Sequence, residues 1–368
     1  MNEATDETLN QYTPTDFEKL TTIVSAEFQA EESLIEHNVP TYYLKQPQET
    51  KQAFLRLLKN LEAMNLIAIL RRKDGRIFLK IVPKPPVKPS NIMVNWILFF
   101  ATIATTFITG YMLSGDLTNP LIGGATFTIA IMAVLGMHEM GHKLTANKKG
   151  IEATPPYFIP GPPPIGGYLL IGTFGAVIMQ KSLPPNKDAL FDVGANGPIV
   201  GFVLALIVSI VGLLFSPIFP LTGTEEGFLP APLIFLIFTS TVVNLPLDSY
   251  IKLHPVALAG WVGMIVTMLN LLPAAMLDGG HIARSLFGEK TRGVLTALSI
   301  ISLVFVSPPM AIFVLFLSMY KHPGPLDDVS GLSTSRKLLA IVTVIIFVLC
   351  SFLHYLVFIL LDLLSGLM

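Results

Sequence analysis

The sequence predicts an α-helical polytopic membrane protein with six to eight transmembrane helices and a re-entrant β-hairpin or loop, preceded by a small soluble α+β domain. Hydrophobic residues make up 52% of the chain and charged residues 13%, and the mean hydropathy is +0.64. The charges are uneven, because 24 of the 49 lie in the first 92 residues. We therefore predict a polar domain at 1–92 and a membrane domain at 93–368.

The polar N-terminal region has the pattern of a small α+β domain. Apolar residues at helical spacing predict helices over 16–29 and 50–64. Two apolar runs, 66–70 and 76–82, flank a Lys-Asp-Gly turn at 73–75 and predict a β-hairpin. No apolar core of a secretory signal precedes these elements, so we expect this domain to stay in the cytoplasm.

Apolar stretches long enough to cross a bilayer follow a basic, proline-rich linker at 83–89. A spanning helix takes about 20 residues, and the stretches that meet this length are 93–113, 121–143, 191–215, 255–273 and 338–361. Two further stretches are ambiguous. The stretch 231–245 is short enough to be a half helix, and 294–320 is interrupted by Pro308-Pro309. Together these stretches predict six to eight crossings.

The basic residues of the short loops predict the orientation of the chain, since such residues favour the cytoplasmic side. They lie at Lys84, Lys88, Lys148, Lys149, Arg284, Lys290 and Arg292. The opposite loops carry Asp116, Glu225 and Glu226. We therefore expect the first helix to run outward and the second to return, with the N-terminal domain and the end of the second helix on the cytoplasmic side, or on the stromal side in a plastid.

The pentapeptide His138-Glu139-Met140-Gly141-His142 stands at the end of the second apolar span. Residues i and i+4 of a helix share a face, so both imidazoles can bind one Zn²⁺ per chain. Glu139 lies beside them and can act as a general base on water. Ionisable groups inside a membrane are costly and usually functional, which favours this interpretation over a polar patch that only stabilises helix packing.

Two histidines do not complete a zinc site, which usually has three protein ligands. The carboxylates to consider are Glu152, Asp192 and Asp278. Asp278 precedes the next basic residue by six positions, the same interval that separates His142 from Lys148. If the two helices run in the same direction, both ends lie at one depth in the membrane. This favours Asp278 over Glu152, which we expect in a loop, and over Asp192, which suits a helix start.

Three motifs together resemble the site-2 protease family of intramembrane zinc metalloproteases, peptidase family M50. They are the HEMGH pentapeptide, Asn196-Gly197-Pro198 in the intervening helix, and Asn270-Leu271-Leu272-Pro273 leading into Leu277-Asp278-Gly279-Gly280-His281. The segment from Gly167 to Gly175 is similar in particular to the prokaryotic and chloroplast branch typified by the plant ethylene-dependent gravitropism-deficient and yellow-green proteins. The resemblance covers roughly residues 90 to 330. It departs from bacterial members at 274–276, where Ala-Ala-Met stands in place of a second proline.

The resemblance implies that His138, His142 and Asp278 hold the zinc ion and that Glu139 is the general base. The alternative role of Asp278 is a helix cap. Asn270 matches a family asparagine that steadies the oxyanion, and an ordinary hydrogen bond between helices is its alternative role. The implied activity is that of a site-2-type zinc metalloendopeptidase, whose substrates are transmembrane proteins in a lipid bilayer.

The sequence also gives expectations for the stretch 168–179 and for the other histidines, and it leaves several function classes open. The stretch 168–179 predicts a membrane-associated strand or hairpin that pairs with an extended substrate, and a re-entrant plug is its alternative. We interpret His254, His322 and His354 as interfacial or packing residues. His281 is expected to be an interfacial histidine, and hydrogen bonding to a metal ligand is its alternative role. A divalent-metal transporter or sensor, an inactive pseudoprotease scaffold, and a membrane zincin that uses Glu152 as third ligand remain as alternatives. The net charge of −1 argues against a nucleic-acid partner, and the sequence carries no signal for the oligomeric state.

Overall fold

The structure is a computed structural model that describes residues 14–87, 89–165, 170–222, 229–320 and 322–352. Its helices are α1 (Pro14–Ser25), α2 (Lys51–Glu62), α3 (Ile92–Leu113), α4 (Pro120–Lys148), α5 (Lys187–Leu214), α6 (Leu233–Thr241), α7 (Pro255–Leu271), α8 (Asp278–Val306), α9 (Pro308–Ser318) and α10 (Thr334–Cys350). Its strands are β1 (Ala30–Glu36), β2 (Val39–Leu44), β3 (Leu66–Lys73), β4 (Arg76–Pro83), β5 (Tyr157–Pro160), β6 (Thr173–Val177), β7 (Ile218–Pro220) and β8 (Ser249–Ile251). Several positions used for the expectations lie outside the described residues, namely Lys88, Gly167, Tyr168, Glu225, Glu226, His354 and the end of the 338–361 stretch.

The described chain divides into two compact units. The first comprises the described residues of Met1–Lys88 together with Ser182–Leu190 and Pro323–Ser333. The second comprises Pro89–Lys181, Phe191–His322 and the described residues of Thr334–Met368. The domain boundary near position 92 stays a prediction, and the first unit also contains two short segments from much later in the chain.

An antiparallel four-stranded sheet in the order β1-β2-β4-β3 forms the first unit with α1 and α2. The predicted hairpin is confirmed, because β3 pairs with β4 around Asp74 and Gly75, which have φ values of 51° and 80°. The predicted helices are also confirmed, although α1 ends four residues before the predicted end at position 29. Strands β1 and β2 were not predicted. Because β1 is an edge strand that is mostly exposed, it lacks the alternating apolar pattern of a half-buried strand.

The core of the first unit depends on one face of α2. Ala53, Phe54, Leu57 and Leu61 repeat at helical spacing and are all 3% exposed or less. Leu326 joins the same apolar cluster, and its carbonyl accepts a hydrogen bond of 3.0 Å from the backbone N–H of Leu70. A segment distant in sequence therefore completes the core of this unit.

Truncation of Phe54 is expected to destabilise the first unit, because its ring is fully buried. For Phe54→Ala, the loss of packing predicts a fall of about 3–5 kcal/mol in the unfolding free energy of this unit. Hydrogen–deuterium exchange of the backbone amides of β2, β3 and β4 measures that change in the full chain. The exposed Lys59 of the same helix provides the control variant, Lys59→Ala. Equal protection in both variants would contradict the assigned core.

In the second unit, three of the described helices are long and apolar enough to cross a membrane, namely α3, α4 and α5. Side chains of Asn91 and Asn119 cap the first two by accepting hydrogen bonds of 3.0 Å from the N–H groups of Met93 and Leu121. The apolar helices α7 and α9 are shorter. The predicted spans 93–113, 121–143 and 191–215 are thus confirmed as apolar helices, and the count of six to eight crossings stays a prediction.

The two ambiguous apolar stretches form a short helix and an interrupted helical segment. The stretch 231–245 contains the nine-residue α6, which matches the half helix considered for it. Within 294–320, α8 ends at Val306 and α9 begins at Pro308, so the expected interruption at the two prolines is confirmed. A second interruption lies inside α8, where Gly288 has φ 82° and ψ −177°.

Small residues allow the helices around the site to approach closely. A Cβ atom added to Gly110 of α3 would lie 2.5 Å from the Cβ of Phe127 in α4. A Cβ added to Gly263 of α7 would lie 2.7 Å from Val134 of α4. Helix α4 is consequently enclosed by α3 and α7, and it carries a buried stripe that reaches the pentapeptide.

A two-stranded antiparallel sheet, β5–β6, follows α4 in sequence. Strand β6 confirms the strand expected within 168–179, whereas β5 was not predicted because it is only four residues long. Phe158 of β5 is 9% exposed and packs against Phe99 of α3, with ring centroids 5.4 Å apart. This packing fixes the sheet against the membrane helices.

Candidate metal centre

Helix α4 presents both histidines of the pentapeptide on one buried face. His138 and His142 are 3% and 5% exposed, and their Nε2 atoms lie 3.1 Å apart. The apolar run before them forms a continuous helix through both residues, so the i, i+4 spacing places the two rings one turn apart. The two Nε2 atoms therefore lie close together on this face of the helix.

Asp278 brings a carboxylate to the same point. It is the first residue of α8, and its Oδ2 atom lies 3.2 Å from the Nε2 of His138 and 3.2 Å from the Nε2 of His142. Protein ligands bind zinc at about 2.0–2.1 Å in a tetrahedral arrangement, which separates neighbouring ligand atoms by about 3.3 Å. The three atoms thus have the spacing of one face of such a tetrahedron, and the donor set fits a zinc ion.

A backbone carbonyl of α5 orients the ring of His142. The Nδ1 atom of His142 lies 2.7 Å from the carbonyl oxygen of Val193, so the N–H at Nδ1 donates to this carbonyl. Such a hydrogen bond fixes the tautomer and leaves the Nε2 lone pair for a metal. The contact could not be read from the sequence, because the acceptor is a main-chain group and Val193 has no distinctive side chain.

Two glycines of α5 make room for the imidazoles. A Cβ added to Gly197 would lie 2.0 Å from the Nε2 of His142, and one added to Gly201 would lie 2.8 Å from the Nδ1 of His138. Both distances are shorter than real Cβ contacts allow. The Asn196-Gly197-Pro198 segment, one of the three motifs that carry the family resemblance, therefore touches a candidate ligand directly.

Glu139 is next to the three atoms, and its carboxylate is farther from His138 than the three atoms are from one another. It is 6% exposed, and its Oε1 atom lies 4.0 Å from the Nε2 of His138. That distance exceeds the separation of about 3.3 Å between ligand atoms of a tetrahedral zinc site. The backbone N–H of Ile178, directly after β6, is near the carboxylate. Glu139 thus lies at the edge of the site.

Asn270 also reaches the site. It lies in the last turn of α7, and its Nδ2 atom is 3.3 Å from the Nε2 of His138. An amide donor therefore lies beside the candidate ligands, as expected from its position eight residues before Asp278.

The other carboxylates considered from the sequence have different surroundings. Asp192 forms ion pairs with Lys149 at 2.7 Å and with Arg336 at 2.8 Å. The backbone carbonyl of Glu152 accepts a hydrogen bond of 2.7 Å from the N–H of Lys181. Within the part of the chain that the structure describes, the group of His, Cys, Asp and Glu residues able to hold a metal contains His138, Glu139 and His142, whose ligand atoms lie within 4.8 Å of one another.

His281 and His322 form a pair that the sequence did not reveal. The Nδ1 atom of His281 lies 2.8 Å from the Nε2 of His322, and His322 is 5% exposed. His281 lies in the first turn of α8 and is half-buried, so the two rings form a packing pair at the start of that helix.

Comparisons with known proteins identify the family to which the chain is similar. Residues 126–312, slightly more than half of the chain, match the family model described as Peptidase family M50. The protein named Probable zinc metalloprotease EGY2, chloroplastic, from Arabidopsis thaliana is 29% identical over 281 residues, which cover 71% of this chain and 49% of the relative. The protein named Probable zinc metalloprotease EGY1, chloroplastic, from Oryza sativa subsp. japonica is 31% identical over 232 residues, which cover 60% of this chain and 39% of the relative.

The matches extend over only part of the relatives. The chain spans about half or less of the length of the two plant proteins, 49% and 39%. No solved structure gives a significant match to the chain. The family model nevertheless covers the pentapeptide, Asn270 and Asp278 together, and by this match the chain belongs to peptidase family M50.

Proposed function

We propose that the chain is a site-2-type zinc metalloendopeptidase that hydrolyses peptide bonds within or near the transmembrane segments of membrane-anchored proteins. The observation that carries this proposal is the triangle formed by two imidazole nitrogens and one carboxylate oxygen at 3.1–3.2 Å, with Glu139 beside it. The two plant relatives are named as zinc metalloproteases, and their similarity to this chain supports zinc as the cofactor.

Glu139 has the position of a general base. When bound, zinc supplies a Lewis acid that polarises a peptide carbonyl and acidifies a water molecule. The Oε1 atom of Glu139 would take a proton from a water molecule that attacks the scissile carbonyl, and the same carboxyl group would return a proton to the leaving amine.

Asn270 has the position of an oxyanion donor. Its amide group lies 3.3 Å from the Nε2 of His138, on the side of the site formed by α7. A neutral N–H donor stabilises the negative charge that develops on the scissile oxygen in the transition state. We therefore assign Asn270 to this role rather than to helix packing alone.

Strand β6 is suited to align the substrate. Peptide hydrolysis in a membrane requires an extended segment, and such a segment can add to the edge of a sheet. β5 occupies one edge of β6, and the strand leads directly to Ile178, whose backbone N–H is near Glu139. A substrate strand on the other edge of β6 would pass close to the general base, which favours binding over a re-entrant plug.

We place the protein in the membrane as a multi-pass protein, with the site near the cytoplasmic or stromal end of α4. Lys148 and Lys149 follow His142 by less than two turns, and basic residues favour this side. The six to eight crossings and the cytoplasmic N-terminal domain belong to the same proposal. Water then reaches Glu139 from a nearby aqueous phase.

Zinc content and cleavage measured together test the proposed function. The purified full chain should contain about one zinc per chain and should cut a single-span model substrate in detergent or proteoliposomes. Phenanthroline should stop cleavage, and added zinc should restore it. Zinc binding without any cleavage would favour a transporter or sensor, and absence of zinc would favour an inactive scaffold.

Substitution of the candidate carboxylates tests the third ligand. Asp278→Ala removes one corner of the triangle, so we expect bound zinc to fall from about one per chain to near zero. Glu152→Ala should leave zinc content unchanged. Atomic absorption of both purified variants after dialysis measures the difference. Loss of zinc in the Glu152 variant and retention in the Asp278 variant would identify the alternative zincin class.

A further inference from the structure

We propose that Arg292 and Thr296 are positioning residues that hold the turn carrying Asp278, and that they thereby set the affinity of the metal centre. This inference rests on the proposed zinc site. Both residues belong to the second half of α8, 14 and 18 positions after Asp278, and the described structure brings them back onto the turn between α7 and α8.

The turn before Asp278 has a strained backbone. Ala275 has φ +46°, in the left-handed region that residues other than glycine rarely adopt, and Ala274 and Ala275 are both 0% exposed. A buried non-glycine residue in this conformation costs free energy and persists only when its surroundings hold it there. Contacts with neighbouring residues therefore stabilise this conformation of Ala275.

Two side chains of α8 form hydrogen bonds with the backbone N–H and the backbone carbonyl of Ala275. The N–H of Ala275 donates to the Oγ1 of Thr296 at 3.0 Å, and the carbonyl of Ala275 accepts from the Nη1 of Arg292 at 2.9 Å. Both side chains are buried, at 5% and 6% exposed, so each hydrogen bond lacks competition from solvent. Together they fix the orientation of the backbone three residues before Asp278.

The first turn of α8 packs so tightly on this segment that a displacement of Ala275 would also move Asp278. A Cβ added to Gly280 would lie 2.4 Å from the carbonyl oxygen of Ala275, and one added to Gly279 would lie 2.2 Å from that of Leu271. The turn is therefore closely packed against the helix that begins with Asp278. A change in Ala275 is thus passed to the carboxylate, which must stay 3.2 Å from two imidazoles.

Glu289 holds Arg292 in place. Its Oε2 accepts from the Nε of Arg292 at 3.0 Å, and its Oε1 accepts from the Nη2 at 2.6 Å. The same carboxylate pairs with Arg284 at 3.1 Å, on the other side of the break at Gly288. Gly288 has φ +82°, a conformation that suits glycine, and this break redirects the chain so that the later half of α8 faces the turn.

Paired variants of Thr296 in the full chain test the inference. Thr296→Val removes the hydroxyl at nearly constant shape, and Thr296→Ser keeps it. Ser302→Ala is the control, because Ser302 lies on the same helix and its hydroxyl bonds only within that helix, to the carbonyl of Leu298. Competition with a chromogenic chelator gives the Kd for zinc, and the visible spectrum of the cobalt-substituted protein reports the ligand geometry.

We expect Thr296→Val to weaken zinc binding by about 10- to 100-fold, the usual cost of removing a group that orients a metal ligand. Thr296→Ser and Ser302→Ala should retain wild-type affinity. Arg292→Lys, which keeps the charge but loses the planar fork, should also weaken binding and change the cobalt spectrum. These results, together with a smaller zinc-induced rise in melting temperature, would support the positioning role.

Two outcomes would overturn the inference. If Thr296→Val and Arg292→Lys bind zinc with wild-type affinity, while the apo and zinc-loaded forms lose thermal stability equally, the contacts only stabilise the fold. In that case the zinc site itself stands. If the wild-type chain binds no zinc, both the inference and the proposed function fail.

Discussion

Gly197→Ala is expected to abolish zinc binding, although Gly197 offers no ligand atom. The added Cβ would lie 2.0 Å from the Nε2 of His142 and 2.3 Å from its Cε1, so the methyl group and the imidazole cannot occupy their places together. Either the ring turns away or α5 withdraws, and withdrawal also breaks the hydrogen bond from His142 to the carbonyl of Val193. Both responses separate His142 from Asp278.

The expected weakening exceeds the upper end of the usual range for an indirect contact, about 100-fold, because one of three ligands is displaced. Equilibrium dialysis with zinc measures it. Gly201→Ala should weaken binding less, since its Cβ would lie 2.8 Å from the Nδ1 of His138. Gly293→Ala is the control, because nothing lies within 4 Å of the added atom. Full zinc occupancy in Gly197→Ala would show that α5 does not shape the site.

Glu139→Gln is expected to remove cleavage and to leave zinc in place. The glutamine keeps the size of the side chain and can still accept a hydrogen bond through its amide oxygen. It cannot take a proton from water, so kcat/KM should fall by about 10²- to 10⁴-fold. Zinc content should stay at the wild-type level because Glu139 lies beyond the tetrahedral ligand distance, with Oε1 4.0 Å from the Nε2 of His138.

The measurements for this variant are cleavage of the model substrate and metal analysis of the same sample. Asp278→Ala provides the contrast, since it should lose both activity and zinc. A Glu139→Gln variant that cuts at the wild-type rate would remove the general base from the mechanism. A variant that loses zinc as well would make Glu139 a ligand.

Much of the helical framework could be predicted because its signals are local. An apolar run of about 20 residues specifies a membrane helix wherever it occurs, and α3, α4 and α5 begin within a few residues of the predicted spans. The spacing of His138 and His142 likewise depends only on the period of one helix. The position of Asp278 beside these two histidines could not be predicted from one helix alone, because it depends on how two further helices pack.

Short or exposed elements were not predictable on the same basis. β5 has four residues, and β1 is an exposed edge strand, so neither carries a periodic apolar pattern. The segments Ser182–Leu190 and Pro323–Ser333 join the first unit through contacts such as the backbone hydrogen bond from Leu70 to Leu326. Backbone hydrogen bonds between distant residues leave no mark on the sequence.

The sequence by itself determined the chemical type of the site, because imidazoles at i and i+4 beside a glutamate, inside an apolar helix, have few roles other than metal binding. Only the tertiary structure decided how the site is built. The carbonyl of Val193, the space above Gly197 and the hydrogen bonds of Arg292 and Thr296 to Ala275 all join residues from separate segments of the chain. Main-chain groups and missing side chains act through proximity, and proximity between distant residues arises only when the chain packs.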